Sequence, residues 1–183
     1  MPKTRFGWSV ILIACLLFGL YWIDASQVID VGGVADGSAE FAAIGYAAPD
    51  FQLTSLDNET LQLAQQQGKP IILNFWATWC GPCRAEMPAL QRISAEFNST
   101  ALVIGVNQAE QATQVSNFAT EFGITYPILL DPTNDINRLY RVRSLPTTYF
   151  IDSNGIIRDQ IIGTASEAVL SSKLENLIIS SDN

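Results

Sequence analysis

The chain has 183 residues, of which 48% are hydrophobic and 15% charged, and its formal net charge is -8. This length suits one ordinary domain with a smaller addition. The 3 cysteines and the absence of histidine exclude Ser–His–Asp catalysis, histidine-ligated metals and a four-cysteine zinc site. The negative charge argues against nucleic acid as a partner, because its binding depends on Lys and Arg. Chemistry must therefore come from thiols, carboxylates, the backbone or a borrowed cofactor.

The first hydrophobic segment, residues 6–23, contains no charged side chain. As a helix it would be about 27 Å long, close to the ~30 Å hydrocarbon core of a bilayer. Lys3 and Arg5 precede this segment and Asp24 follows it. The positive-inside rule therefore predicts a single-pass transmembrane anchor, with residues 1–5 in the cytoplasm and the rest of the chain outside.

Two other interpretations of this segment remain open. A cleaved signal peptide would have an apolar region of about 7–15 residues that ends at an A-x-A-like site, and no good site of that kind follows Trp22. The run Leu12–Cys15 loosely resembles a bacterial lipoprotein signal that ends in a lipidated Cys15. Residues 16–23 would then form an apolar mature N-terminus, which such proteins seldom have.

The next segment, residues 24–45, is rich in Gly, Ala, Ser and Asp. Gly32 and Gly33 interrupt regular structure there, and no apolar period is sustained. We therefore expect a flexible tether over residues 24–45 and a folded domain over residues 46–183.

Within the domain, residues 51–53 and 61–63 flank a polar turn and predict a small hairpin. Continuous apolar runs over residues 70–76 and 101–106 predict strands buried on both faces. Helices are predicted over residues 84–97, 112–122, 135–140 and 168–179, and further strands over residues 128–130, 147–152 and 156–162. Gly123 suits the C-terminus of the second helix. The order predicts an α/β fold whose sheet is parallel first and antiparallel at the end.

A C-x-x-C pair, Cys80 and Cys83, stands where the strand over residues 70–76 gives way to a helix. We expect Cys80 at an exposed helix N-terminus, where unpaired N–H groups and the helix dipole stabilise a thiolate. Cys83 follows one turn later, and Pro82 is compatible with the first turn. The arrangement predicts a two-electron switch in which Cys80 attacks a substrate disulfide and Cys83 resolves the mixed disulfide.

Three other roles for these cysteines remain open. Half of a zinc site would need ligands from a partner chain. A purely structural disulfide that closes so short a loop would gain little entropy. A peroxidase that uses Cys80 alone, as in peroxiredoxins, would want a threonine where Ala77 stands.

Residues 75–83 (Phe-Trp-Ala-Thr-Trp-Cys-Gly-Pro-Cys) resemble the active-site signature of the thioredoxin superfamily, and Leu145-Pro146-Thr147-Thr148 resembles its cis-proline loop. Together with residues 84–88, the hairpin, an inserted helix and strand at about 111–130 and the anchor, they resemble TlpA/ResA-like membrane-anchored thiol–disulfide oxidoreductases with a redoxin (AhpC/TSA-type) domain. The resemblance implies a thioredoxin-like fold, with a central mixed sheet flanked by helices.

The resemblance also implies roles for individual residues. Pro146 would follow a cis peptide bond, and its loop would face the cysteines. The substrate-binding residues implied are Trp79, Gly81, Pro82, Leu145, Pro146 and Thr147. The catalytic residues implied are Cys80, Cys83 and Glu86, without a metal or an organic cofactor.

This chain differs from many cytoplasmic thioredoxins, which carry a buried Asp where it has Asn74, and this difference makes Glu86 a candidate. Because an amide cannot exchange a proton with a thiol, we take Glu86 as the proton acceptor, which requires a partly desolvated carboxylate. An ordinary solvated glutamate on the helix surface is the alternative.

The Gly-Pro pair between the cysteines is shared with thioredoxin, whose potential is about −270 mV, and this favours a reductant. We therefore expect a disulfide reductase of exported proteins, such as apocytochrome c, at a bacterial cell membrane and on its outer side. A membrane thiol carrier would supply its electrons. A general oxidase or isomerase, and a tethered client-binding module with an incidental disulfide, remain alternatives.

Overall fold

The computed structural model describes residues 41–181. One seven-stranded sheet has the order β2-β1-β5-β4-β3-β6-β7. Its strands are β1 (Gln52–Ser55), β2 (Thr60–Gln62), β3 (Ile71–Trp76), β4 (Leu102–Gln108), β5 (Ile128–Asp131), β6 (Thr147–Ile151) and β7 (Ile157–Ile162). The helices are α1 (Gly81–Glu96), α2 (Ala112–Phe122), α3 (Asp135–Leu139) and α4 (Glu167–Ser181), with a 3-10 turn at Leu63–Gln66.

The strand pairing confirms the predicted fold class. β4 pairs in parallel with β3 and with β5, whereas β6 pairs antiparallel with β3 and with β7. The hairpin of β1 and β2 joins the sheet through an antiparallel pairing of β1 with β5. The fold is therefore a mixed α/β sheet of the thioredoxin type, with the predicted hairpin and the inserted helix and strand.

Side chains of β3 alternate between two cores because successive strand residues face opposite sides of the sheet. Ile72 and Trp76 belong to a cluster that also holds apolar residues of α1, α2 and α4. Leu73 and Phe75 belong to a second cluster on the other side, around Tyr140. Burial on both faces explains why this strand appears in the sequence as an uninterrupted apolar run.

The register brings three loops to one edge of the sheet. β3 ends at Trp76, which is paired with Asn107 near the end of β4. Because β6 runs the other way, its first residue, Thr147, is paired with Phe75. The loops that follow β3 and β4 and the loop that precedes β6 therefore lie at the same edge.

Residues before Tyr46 already contact the domain. The amide of Ala42 donates to the carbonyl of Leu139 over 3.3 Å, and the guanidinium of Arg141 lies 4.1 Å from the ring centre of Phe41. These contacts lie just ahead of the boundary predicted at residue 46.

The predicted anchor and most of the predicted tether lie outside the described residues. Within residues 41–181, no helix is both long enough and apolar enough to cross a membrane.

We expect Gly105→Ala to destabilise the fold by about 1–3 kcal/mol, because an added methyl group overpacks a core of this kind. A Cβ at this position of β4 would lie 2.9 Å from Nε1 of the fully buried Trp76 and 3.3 Å from Tyr126. Urea unfolding would show a lower midpoint at an unchanged slope. Gly81→Ala is the control, since a Cβ there meets nothing within 4 Å. Equal stability of the two variants would contradict this packing argument.

Candidate active site

Cys80 and Cys83 form a disulfide with a Cα–Cα distance of 5.2 Å. Cys80 is the N-cap of α1, and its sulfur accepts a hydrogen bond from the backbone N–H of Cys83 over 3.1 Å. Pro82 lies in the first turn, as expected. The helix begins at Gly81, three residues before the predicted start, because the Cys-Gly-Pro-Cys sequence itself forms the capped first turn. The sulfur thus lies where helix N–H groups stabilise negative charge.

The expected exposure of the attacking sulfur was wrong for this disulfide form. Cys80 is only 4% exposed and Cys83 is 0% exposed. Both belong to the core cluster beneath α1, because the disulfide holds the two sulfurs against apolar side chains. Of the two cysteines, Cys80 nevertheless keeps the only accessible surface. Attack by Cys80 requires it to be the more accessible of the two.

The other residues of the predicted site either neighbour the cysteines in the sequence or belong to the proline loop at the same edge of the sheet. Trp79 is 69% exposed, and Gly81 and Pro82 are exposed as well. The Leu145–Pro146 peptide bond is cis, as the resemblance implied. The carbonyl of Pro146 accepts a hydrogen bond from the N–H of Gly163 over 2.8 Å.

The two neighbours of Pro146 are enclosed rather than exposed. Leu145 is half-buried and packs against both cores. Thr147 is buried, and its hydroxyl donates to the carbonyl of Ser144 over 2.7 Å. Trp79, Gly81 and Pro82 therefore provide the exposed surface of the predicted substrate-binding set, while these two residues hold the proline loop.

Glu86 is buried at 1% exposure on the inner side of α1. Its Oε2 accepts a hydrogen bond from Nδ2 of Asn74 over 3.1 Å, and its Oε1 accepts one from the N–H of Ala165 over 2.8 Å. The same Asn74 amide also donates to the hydroxyl of Thr148 over 2.9 Å. The solvated alternative is therefore wrong, and Asn74 acts as a donor to the carboxylate.

Burial raises the pKa of Glu86 above its ordinary value of 4.5, although the hydrogen bonds from Ala165 and Asn74 favour the charged form and oppose the shift. Burial also raises the pKa of Tyr126, and the nearby charge of Glu86 adds to this effect. The Tyr126 hydroxyl donates to the sulfur of Met87 over 3.0 Å. A carboxyl group with a raised pKa can exchange a proton nearer neutral pH than an ordinary glutamate can.

One residue of this edge was missed in the sequence. Glu110 follows β4, and its carboxylate contacts the loop that carries Trp79 and Cys80: Oε2 accepts from the N–H of Thr78 over 2.7 Å. The position of Glu110 in the sequence could have indicated this role. It follows a buried parallel strand, β4, whose carboxyl end lies at the same edge of the sheet as that of β3.

Within the described residues, no group of three or more Cys, Asp or Glu side chains is placed to hold a metal ion. The two sulfurs of Cys80 and Cys83 offer dithiol–disulfide exchange, and Glu86, one turn further along α1, adds a buried carboxyl group. A thioredoxin-like α/β fold with a disulfide at the tip of its first helix, and with a cis-proline loop at the same edge, defines a thiol–disulfide oxidoreductase.

The comparisons with known proteins place the chain in a family. Residues 44–160 match the AhpC/TSA family, and the chain belongs to it. The chain is 43% identical over 134 residues to the thioredoxin-like protein YneN of Bacillus subtilis, which covers 72% of this chain and 78% of that protein. It is 33% identical over 178 residues to the thiol-disulfide oxidoreductase ResA of Bacillus thuringiensis, which covers 97% of this chain and 99% of that protein.

A solved structure agrees with this class. The crystal structure of a thiol:disulfide interchange protein DsbE from Chlorobium tepidum, itself described as putative, superposes with a TM-score of 0.70 at 28% sequence identity. The similarity covers 74% of this chain and 98% of that chain. The similarity thus extends over almost all of a thiol:disulfide interchange fold.

Proposed function

We propose that this protein is a membrane-anchored disulfide reductase that acts outside the cytoplasm on exported proteins, with apocytochrome c as a candidate client. The observation that carries the proposal is the Cys80–Cys83 disulfide at the start of α1, with the buried carboxyl group of Glu86 one turn further along. The arrangement supports two-electron exchange between this pair and a client disulfide.

The reaction starts from the dithiol form. The Cys80 thiolate attacks one sulfur of the client disulfide, and the other client sulfur leaves as a thiolate, so that a mixed disulfide forms. Cys83 then gives its proton to the Glu86 carboxylate and attacks Sγ of Cys80. The second client sulfur leaves as a thiolate. The client gains two electrons, and the Cys80–Cys83 disulfide is regenerated.

The next cycle requires a thiol donor that reduces this disulfide in turn. The predicted anchor, residues 6–23, contains a single cysteine, Cys15, and one thiol cannot relay a dithiol pair of electrons across a membrane. We therefore assign the donor role to a separate membrane thiol carrier. This assignment agrees with a domain that works in an oxidising compartment, where its own disulfide accumulates.

Extracytoplasmic placement is supported by the charge pattern around residues 6–23. Lys3 and Arg5 lie before this segment, whereas the acidic residues Asp24 and Asp30 follow it. Basic residues are retained on the cytoplasmic side of such a segment. The similarity to ResA of Bacillus thuringiensis covers 97% of this chain, so it includes most of the predicted anchor.

The reduction potential of the Cys80–Cys83 pair tests the direction of electron flow. We expect a value nearer to that of thioredoxin, about −270 mV, than to that of strong oxidants, about −120 mV. The measurement is equilibration of the full chain with glutathione and dithiothreitol buffers of known ratio, with quantification of both redox forms. A potential near that of the strong oxidants would overturn the reductase assignment and favour the oxidase alternative.

A further inference from the structure

Four hydrogen bonds converge on the carboxylate of Glu110. Its Oε1 accepts from the hydroxyl of Thr78 over 2.6 Å and from Nε2 of Gln114 over 2.7 Å. Its Oε2 accepts from the backbone N–H of Thr78 and from Nδ2 of Asn107, each over 2.7 Å. We call these four residues the Glu110 clasp. All the donors are uncharged, so the carboxylate is held by dipoles.

The clasp acts on the turn that carries the attacking cysteine. The N–H of Cys80 donates to the carbonyl of Ala77 over 3.2 Å and closes a turn with Thr78 and Trp79 at its centre. Within that turn the Thr78 N–H has its partner in the Glu110 carboxylate. The hydroxyl of Thr78 also accepts from Gln114 over 2.7 Å. The turn is thus fastened to the loop after β4 and to the first turns of α2.

The backbone that precedes Glu110 has an uncommon conformation. Ala109 has a φ of 52°, in the left-handed region that residues with a Cβ rarely adopt. Its N–H donates to the carbonyl of Asp131 over 3.0 Å, which holds this conformation. Strained backbone of this kind persists where the surrounding structure over-determines it, and such positions cluster at functional sites.

We propose that Glu110 is a positioning residue: through Thr78 it holds Cys80 at the tip of α1, where the helix N–H groups stabilise the thiolate of the reduced protein. The inference rests on the proposed attack by Cys80. Cys80 occupies the N-cap, and its sulfur accepts the N–H of Cys83. A turn free to shift would move the sulfur away from these N–H groups and leave less of it as thiolate.

The test compares Thr78→Val, which keeps the carboxylate but removes the hydroxyl, with Glu110→Gln, which removes the charge. The reduced full chain is alkylated with iodoacetamide over a range of pH, and modification is followed at the Cys80 peptide by mass spectrometry. We expect both variants to slow alkylation below the thiol pKa by about threefold or more, as the loss of a helix-terminus effect predicts. Glu96→Gln, an exposed glutamate at the end of α1, is the charge-matched control and should leave the rate unchanged.

The sign of the change separates positioning from charge. Removal of a negative charge near a thiolate lowers the thiol pKa, so faster alkylation in Glu110→Gln with no change in Thr78→Val would overturn the positioning role. Unchanged rates in both variants would overturn it as well. If Cys80 in the unsubstituted protein proves no more acidic than free cysteine, both the proposed function and this inference are wrong. If Cys80 is acidic but both variants are alkylated at the same rate as the unsubstituted protein, only the role of Glu110 is rejected.

Discussion

Replacement of Cys83 by serine is expected to turn the protein into a trap that accumulates clients as mixed disulfides with Cys80. The attacking sulfur remains in this variant, but the thiol that would release the client is gone. Mixed disulfides should be recovered from the native membrane on non-reducing gels, and reduction should release the captured proteins for identification. The captured proteins should be exported proteins that contain cysteines.

The reciprocal variant should be almost inactive. Cys80→Ser is expected to lower the rate of disulfide exchange by about 1,000-fold or more, because a hydroxyl does not replace a thiolate nucleophile. The structure explains the asymmetry between the two cysteines. Cys80 retains 4% exposure and lies at the helix tip, whereas Cys83 is 0% exposed and lies behind it. A client disulfide therefore reaches the first sulfur before the second.

The controls for the trap separate an enzyme from a binding module. The double variant Cys80→Ser/Cys83→Ser should capture nothing. Replacement of Cys15 in the Cys83→Ser trap leaves Cys80 as its one cysteine and so as the only route to a mixed disulfide. Clients retained by the double variant would identify a tethered binding module with an incidental disulfide. Trapping by Cys80→Ser instead of Cys83→Ser would reverse the proposed roles of the two sulfurs.

The sheet was predictable because local patterns and tertiary structure agree. The apolar run over residues 70–76 gives the fully buried β3. Gly123 ends α2 in the left-handed conformation that glycine adopts without a steric penalty. The strands predicted over residues 147–152 and 156–162 pair as the antiparallel hairpin of β6 and β7. Each of these features could be predicted from one or two short segments of the sequence.

The environment of the carboxyl groups was much less predictable. Glu86 has helical spacing from Cys83 in the sequence, but one of its hydrogen-bond donors is Ala165, which lies 79 positions away along the chain. The contact between Glu110 and Thr78 spans 32 positions. Contacts of this kind arise only when the sheet brings several loops to one edge, and no local period reports them. The spacing therefore indicated the face on which Glu86 lies but not its partners.

The low exposure of Cys80 has a similar cause. Its place at the start of a helix follows from the Cys-Gly-Pro-Cys sequence and the strand before it. Its burial depends on a core cluster that also holds apolar residues of other elements, such as Trp76 of β3 and Phe118 of α2. The position of Cys80 at the helix N-terminus was thus predictable from the sequence. The low exposure of Cys80 depends on tertiary packing and was not.

Glu86→Gln is expected to slow the resolving step by about 100-fold at neutral pH, the contribution usual for a positioned proton acceptor. The buried thiol of Cys83 would then have to give its proton to a more distant group. At the same time, removal of the negative neighbour should lower the pKa of Cys83. The measurements are rapid-mixing kinetics of mixed-disulfide decay and pH titration of thiol alkylation.

The combination of a lower thiol pKa with slower exchange identifies proton transfer. If Glu86 acted through its charge alone, the lower pKa of Cys83 would increase the thiolate fraction, and exchange would be faster in Glu86→Gln. Unchanged thiol pKa values together with unchanged rates would remove Glu86 from the mechanism altogether. Glu175→Gln, an exposed glutamate on α4, is the matched control and should alter neither quantity.

Stability against pH gives an independent readout of the Glu86 carboxyl group. Because burial raises its pKa in the folded protein above the ordinary 4.5, folding favours the protonated form. This stabilisation is fully present below pH 4.5 and is lost as the pH rises through the raised pKa. The unfolding free energy of the oxidised protein should therefore fall relative to that of Glu86→Gln across this window. Parallel pH profiles of the two proteins would show that the carboxyl group titrates normally, and a normal glutamate in this position would be too weak a base to accept the proton of Cys83 at neutral pH.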